Sequence, residues 1–258
     1  MKQLDQFSRD AGRKIEYILT DIDDTLTDDG KLHGETYNAL WRLSSAGFRI
    51  IPITGRPAGW CELIARQWPV EGVVGENGAL VFYLDEGKMK RLFHPSVAGD
   101  EVREKLNRIE QAVLAEVPGS RVAKDQFCRM FDLAIDFCEE EPRLGIQEAR
   151  KIQKICESYG AEAKVSSIHV NTWYGSYSKL DMTLLYMKTR WGMDESAAGE
   201  KSVFCGDSPN DEPMFSWFPN SIGVANVLPF LSIMESPPRY VTAAQGGKGF
   251  CEIAEELI

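Results

Sequence analysis

Along the first third of the chain, apolar residues fall in short runs separated by stretches of helical spacing. Ile15 to Thr20 is a strand-like run that ends in a burst of acid. Phe48 to Ile53 (FRIIPI) is continuously apolar, as a strand buried on both faces requires. Between them, Gly34 to Ala46 carries Leu40 and Leu43 on one side of a predicted helix. Ala58 to Trp68 predicts a second helix, closed by Pro69, and Val73 and Val74 mark a third short strand. Strands alternating with helices in this way point to a parallel sheet with crossover helices. Residues 1–13 read as a polar lead-in.

The middle of the chain changes period. Val102, Leu106, Ile109 and Val113 repeat at helical spacing, and Leu144, Ile152, Ile155 and Tyr159 suggest a further helix. Phe131, Leu133, Ile135 and Phe137 alternate with Asp132 and Asp136 between them, which predicts a half-buried strand of an antiparallel sheet. Ile168 and Val170 alternate with His169 and Asn171 in the same manner. The parallel pattern then resumes, with a helix over Ser178 to Arg190 and a buried strand at Ser202 to Cys205. Short strands follow at Ile222 to Val224 and Tyr240 to Val241, and a closing helix at Phe250 to Ile258. The expected fold is α/β: a doubly wound parallel-sheet core, residues 1–84 and 175–258, interrupted by an inserted α+β domain over 85–174. No internal repeat is visible.

Charge and cysteine usage narrow the function classes. The 258 residues carry 29 Lys and Arg against 39 Asp and Glu, a net charge of −10. With no basic block in view, nonspecific nucleic-acid binding and docking on an anionic membrane are not expected. The six cysteines form no CxxC pair, and a chain of this length needs no disulfides to hold a core, so free thiols in a reducing compartment are expected. The N-terminal stretch has no apolar segment resembling a signal peptide, and no apolar run approaches the roughly 20 residues that cross a bilayer. A soluble, cytoplasmic protein is the expectation.

The candidate chemistry sits at the ends of the predicted strands. Five of the nine residues from 21 to 29 are Asp, directly after the first strand. Carboxylates this dense repel one another and call for solvent or a cation. A calcium loop starting at Asp21 fails, because its fifth, sixth and twelfth positions hold Thr25, Leu26 and Leu32. Thr54-Gly55-Arg56 follows the second strand, Gly206-Asp207-Ser208-Pro209-Asn210-Asp211 follows Ser202 to Cys205, and Lys179 opens the helix after the insertion. In open α/β sheets, ligands bind beyond the carboxyl ends of the strands, so these groups are expected around one crevice. Gly246-Gly247-Lys248-Gly249 does not fit a phosphate-cradling GxxxxGK[ST] loop and reads as a tight turn. His33, His94 and His169 have no zinc-like spacing.

Together these motifs resemble the haloacid dehalogenase superfamily: DxDxT at Asp21, Asp23 and Thr25, a strand-end Thr54, Lys179, and GDSPND over 206–211. The TGR and ENGA strings, the latter over Glu76 to Ala79, look most like the branch of sucrose-phosphate, mannosyl-3-phosphoglycerate and broad-range sugar phosphatases. Asp24 stands where many relatives carry Gly. The resemblance implies a Rossmann-like core with the insertion as a type-2 cap that selects substrate. It implies a magnesium-dependent phosphatase of a small phosphorylated metabolite, a sugar or polyol phosphate, acting through an aspartyl-phosphate. Asp21 would be the nucleophile and Asp23 the acid and base; dehalogenation releases halide and needs no such acid. Thr54 and Lys179 would steady phosphoryl oxygens. Mg2+ would be held by the Asp21 carboxylate, the Asp23 carbonyl, Asp207 and Asp211.

Gly55, Arg56, Asn77 and Asn210 are candidate substrate contacts on the core. If Ile168 and Val170 face the cap's own helices, His169, Asn171 and Trp173 share the opposite face, where they look down on the site. Trp173 or Tyr174 could then pack against a sugar ring. A phosphosugar mutase using the same aspartyl-phosphate step, and a phosphometabolite sensor that binds without turnover, are the alternatives. No nucleic-acid or membrane partner is expected, and monomer or homodimer stays open.

Overall fold

The computed structural model describes residues 1–7, 12–97, 99, 101–166 and 168–258. Its strands in chain order are β1 (Lys2–Gln3), β2 (Tyr17–Thr20), β3 (Arg49–Pro52), β4 (Val73–Gly75), β5 (Leu80–Asp85), β6 (Lys88–Phe93), β7 (Arg121–Val122), β8 (Asp132–Asp136), β9 (Glu162–Val165), β10 (His169–Trp173), β11 (Ser202–Gly206), β12 (Ser221–Gly223) and β13 (Tyr240–Val241). The main sheet is parallel throughout, in the order β1-β13-β12-β11-β2-β3. An isolated parallel bridge, Ile53 to Val74, links it to the antiparallel sheet β4-β5-β6.

Alternation along β2 sorts the two faces. Ile18 packs with Leu40, Leu43, Cys61, Ile64, Phe250 and Ile253, on helices Gly34–Ser45, Ala58–Gln67 and Gly246–Leu257. Tyr17 and Leu19 pack with Met182, Tyr186, Ala198, Met214 and Phe215, on helices Lys179–Trp191, Glu195–Lys201 and Glu212–Trp217. A strand with apolar residues on both faces is what a sheet covered on both sides demands. The core is doubly wound, as the spacing predicts.

The inserted region builds the antiparallel sheet β7-β8-β10-β9. Helices Glu101–Glu116 and Ile146–Ser158 cover one face through Leu106, Ile109, Val113, Ile152 and Ile155, against Leu133, Ile135 and Val170. The register pairs Asp136 with His169, Ala134 with Asn171 and Asp132 with Trp173, so these residues share the other face. That face looks onto the core.

Several expectations change. The lead-in is not merely polar: Leu4 and Phe7 are buried, and Lys2–Gln3 pairs with β13 at the sheet edge; its residues 8–11 lie outside the described ones. Val73 and Val74 join an antiparallel sheet, bridged to the parallel one at a single position. The hairpin β5–β6 turns through Glu86 and Gly87, both at positive φ, so residue 85 falls at its tip. The Gly246 to Gly249 segment is the first turn of the closing helix, not a turn before it. Among the described residues no helix is long and apolar enough to cross a membrane, and none of the six cysteines is in a disulfide.

Candidate active site

β2, β11 and β3 are neighbours, and their carboxyl ends carry Asp21, Asp207 and Thr54. Asp21 N–H donates to the Cys205 carbonyl at 2.9 Å, which ties the acidic loop to β11. The loop then folds tightly on one carbonyl, Ile22 O, which accepts from Leu26 N at 2.9 Å and Thr27 N at 3.1 Å. Asp24 takes φ 58 in this turn, a left-handed conformation that Asp tolerates better than most residues.

The carboxylates of Asp21, Asp207 and Asp211 converge, with one oxygen of each within 4.8 Å of the others, and all three residues are buried. Lys179, at the start of helix Lys179–Trp191, donates to Asp21 Oδ1 at 2.6 Å and to Asp211 Oδ1 at 3.1 Å. Asp211 Oδ2 accepts the Asp207 N–H at 3.1 Å, and Thr25 Oγ1 donates to Asp207 Oδ1 at 3.3 Å. Gly206 is required here, since a Cβ would meet Asp211 Oδ2 at 2.5 Å.

One ammonium among three carboxylates leaves buried negative charge. Burial, with Asp211 and Asp23 nearby, pushes the Asp21 carboxyl up to about 8 against the pull of Lys179. Burial, then Asp211 and Asp21, holds Asp207 well above the usual range. Burial works against the Lys179 ammonium, but Asp21 and Asp211 outweigh it and raise its pKa. A small hard cation with oxygen ligands fits this donor set.

Asp23 is not part of that trio through its carboxylate. Arg56 binds it side-on, with Nε 3.0 Å from both oxygens and Nη2 2.7 Å from Oδ1. The guanidinium lies over the Trp60 ring at 4.5 Å and reaches the cap, with Nη1 3.7 Å from Glu139 Oε1. Thr54 is fully buried, and its hydroxyl accepts the Arg56 N–H at 3.0 Å.

Above these groups lies a cavity of about 710 Å³ between core and cap. Asp21, Asp23, Gly55, Arg56, Asn77, Lys179, Asp207 and Asn210 line it from the core, and His169 and Asn171 from the cap. Thr54 and Asp211 are fully buried beneath it. His169 Nε2 lies 2.9 Å from Glu139 Oε2, and Asn171 Nδ2 donates to Asp132 Oδ2 at 3.1 Å. The aromatic expectation fails. Trp173 is 3% exposed and stacks on Tyr177 at the junction of core and cap, and Tyr174 donates to the Tyr159 carbonyl within the cap. Neither lines the cavity.

Sequence reasoning missed the network that seats the cap. Glu76, fully buried at φ 45, accepts N–H groups from Ala58 at 2.9 Å, Met130 at 2.8 Å, Phe131 at 2.7 Å and Asp132 at 3.3 Å. Arg129 donates to the Gly55 carbonyl and to both Asp132 oxygens, each at 3.0 Å. The alternation that placed Asp132 between apolar neighbours was its one available signal.

Residues 18–117 match the family model described as haloacid dehalogenase-like hydrolase. Among solved structures, the chain is similar to the Thermoplasma acidophilum 0175 protein, with TM-score 0.71, 18% identity, and coverage of 94% of this chain and 98% of that one. It is similar to the sucrose-phosphatase of Synechocystis sp. PCC6803, determined with sucrose and phosphate, with TM-score 0.62, 16% identity, and coverage of 93% and 97%. A subclass IIB sugar phosphatase gives TM-score 0.65, 14% identity, and coverage of 94% and 100%. No curated protein matches the chain.

Proposed function

We propose that this chain, whose residues 18–117 match the haloacid dehalogenase-like hydrolase model, is a magnesium-dependent phosphatase of a small phosphorylated metabolite, a sugar or polyol phosphate. The observation that carries this is the buried Asp21, Lys179, Asp207 and Asp211 constellation at the floor of a roofed cavity. Similarity to a sucrose-phosphatase and a subclass IIB sugar phosphatase supports the substrate class.

Asp21 attacks phosphorus and the bond to the ester oxygen breaks, giving an aspartyl-phosphate. Asp23 gives its proton to the leaving oxygen, then takes one from the water that attacks the intermediate, so the bond to Asp21 breaks and inorganic phosphate leaves. The Arg56 pair is the resting arrangement of Asp23, and the acid step needs that carboxyl turned to the leaving oxygen. Lys179 holds Asp21 in place and offers positive charge to the phosphoryl group, and the Thr54 hydroxyl donates a hydrogen bond to a phosphoryl oxygen. Asp21, Asp207 and Asp211, with the Asp23 carbonyl, would hold Mg2+, which when bound offsets the repulsion between carboxylate and phosphate dianion.

Residues 1–84 and 175–258 act as the catalytic core and 85–174 as the cap, a division that passes through the β5–β6 hairpin, so that β6 stays paired with β5 of the core. Gly55, Arg56, Asn77, Asn210, His169 and Asn171 form the substrate shell. Six cysteines outside any disulfide suit a reducing, cytoplasmic compartment. Release of free phosphate from sugar phosphates and an aryl phosphate, with magnesium and with chelator, tests the reading. Magnesium-dependent release that Asp21→Asn abolishes is expected. Isomerised sugar phosphate without free phosphate would point to a mutase, and binding without turnover to a sensor.

A further inference from the structure

The charged side chains of the cavity are segregated. Asp21, Asp23, Asp24 and Asp207 line it, all from the core wall, and no Asp or Glu among its lining residues comes from the cap. The cap wall instead contributes Arg129, Arg150 and Lys164. A phosphoryl group seated at Asp21 accounts for the acidic floor and its cation. It does not account for the basic roof.

The five Lys and Arg side chains lining the cavity are not equivalent. Lys179 is committed to Asp21 and Asp211, Arg56 to Asp23, and Arg129 to Asp132 and Asp125. Those three are buried. Arg150 and Lys164 are exposed, and among the described residues neither pairs with a carboxylate. Two elements bring them to the cavity. In the β9–β10 register Lys164 lies directly opposite Asn171, on the sheet face that looks onto the core. Arg150 sits one helical turn after Ile146 on helix Ile146–Ser158, and both line the cavity.

We infer that Arg150 and Lys164 form a second acid-binding subsite on the cap wall, so that the substrate is a phosphomonoester whose leaving group carries its own carboxylate or phosphate. This rests on the phosphatase reading of Asp21 and extends it to the far end of the substrate. In a chain of net charge −10, two unneutralised cations facing into the cavity favour an acidic leaving group over a neutral one. A cavity of about 710 Å³ is much larger than a phosphate ion needs, so the leaving group reaches the cap while the phosphoryl group stays on the floor. Ionised pairs of this kind also fix orientation, because both ends of the substrate are then held.

Glucose 6-phosphate, 6-phosphogluconate and fructose 1,6-bisphosphate make the test. They present a neutral group, a carboxylate and a second phosphate on similar bodies. The wild-type enzyme is expected to prefer at least one acidic substrate over glucose 6-phosphate in kcat/KM by about tenfold, with the difference in KM. Arg150→Ala combined with Lys164→Ala removes that preference, and Arg150→Glu inverts it. Whichever acidic substrate loses the preference identifies the second group as carboxylate or phosphate. Equal kcat/KM on all three, or a preference untouched by the double substitution, overturns the subsite while leaving the phosphatase reading standing. Silence on every substrate and on p-nitrophenyl phosphate with magnesium sinks the phosphatase reading instead. Calorimetric binding of 6-phosphogluconate and glucose 6-phosphate to wild type and double variant then decides the subsite alone: a difference lost in the variant supports it, and equal binding overturns it.

Discussion

Asp23 and Glu76 are both acids with buried neighbours, but they serve opposite ends of the protein's work. Asp23, held by Arg56, is the proton donor and acceptor of the proposed reaction. Asp23→Asn is expected to lower turnover of an alkyl phosphate by about 10²–10⁴-fold. It should lower turnover of p-nitrophenyl phosphate far less, because that leaving group departs without a proton; equal losses on both would remove Asp23 from the acid role. Glu76 holds the cap through backbone N–H groups. Burial, with Asp132 beside it, pushes its carboxyl up to about 7, while those N–H groups pull it down. Between the ordinary carboxylate range and that value, the folded protein keeps a proton that the unfolded chain releases. The stability contributed by this group therefore falls as pH rises through that window. Glu76→Gln should cost about 1–3 kcal/mol near pH 5, since the amide turns two N–H groups towards the backbone donors where the protonated carboxyl turns one O–H, and the gap should narrow towards neutral pH. Denaturant unfolding at both pH values checks the sign; a widening gap contradicts it. Asp21, Lys179 and Asp207 were legible because each sits at a strand end or helix start with chemistry that a solvated loop does not need. Glu76 was not, because three of its four N–H donors come from residues 130–132 and nothing local announces them.

At the level of elements, the site depends on how closely two segments approach. The turn Glu76–Gly78 runs against the start of helix Lys179–Trp191, and a Cβ on Gly78, at φ 107, would collide with the Ser178 carbonyl. Gly78→Ala must push that helix start away and take Lys179 with it. It should destabilise the protein by about 1–3 kcal/mol and lower kcat together with stability. Unfolding midpoints and kinetics on the same preparation test this, and an unchanged kcat would uncouple the turn from Lys179. The continuous or alternating apolar runs gave away β2, β3, β8, β10 and β11. β9 was hidden because Glu162-Ala163-Lys164-Val165 is half polar, and β6 because Lys88, Lys90 and Arg91 face solvent on an edge strand. β1 was hidden because only two residues pair.

Across the whole molecule, the cap is more than a lid on two linkers. Glu76 binds Met130, Phe131 and Asp132, Arg129 binds Gly55, Phe93 meets Phe131 at 5.3 Å, and Trp173 and Tyr177 pack on Ala79. Buried polar contacts of this kind are costly to expose one partner at a time. Core and cap should therefore unfold in a single calorimetric transition, and two separated transitions would mean that the junction carries little of the stability. The central claim is that Asp21 becomes phosphorylated during turnover. Its most direct test is rapid acid quench of the Asp23→Asn enzyme with magnesium and p-nitrophenyl phosphate, followed by mass spectrometry of the peptide containing residue 21. The account predicts one phosphoryl group on Asp21, absent when magnesium is chelated. Turnover with no covalent phosphate, or with phosphate on another residue, would contradict it.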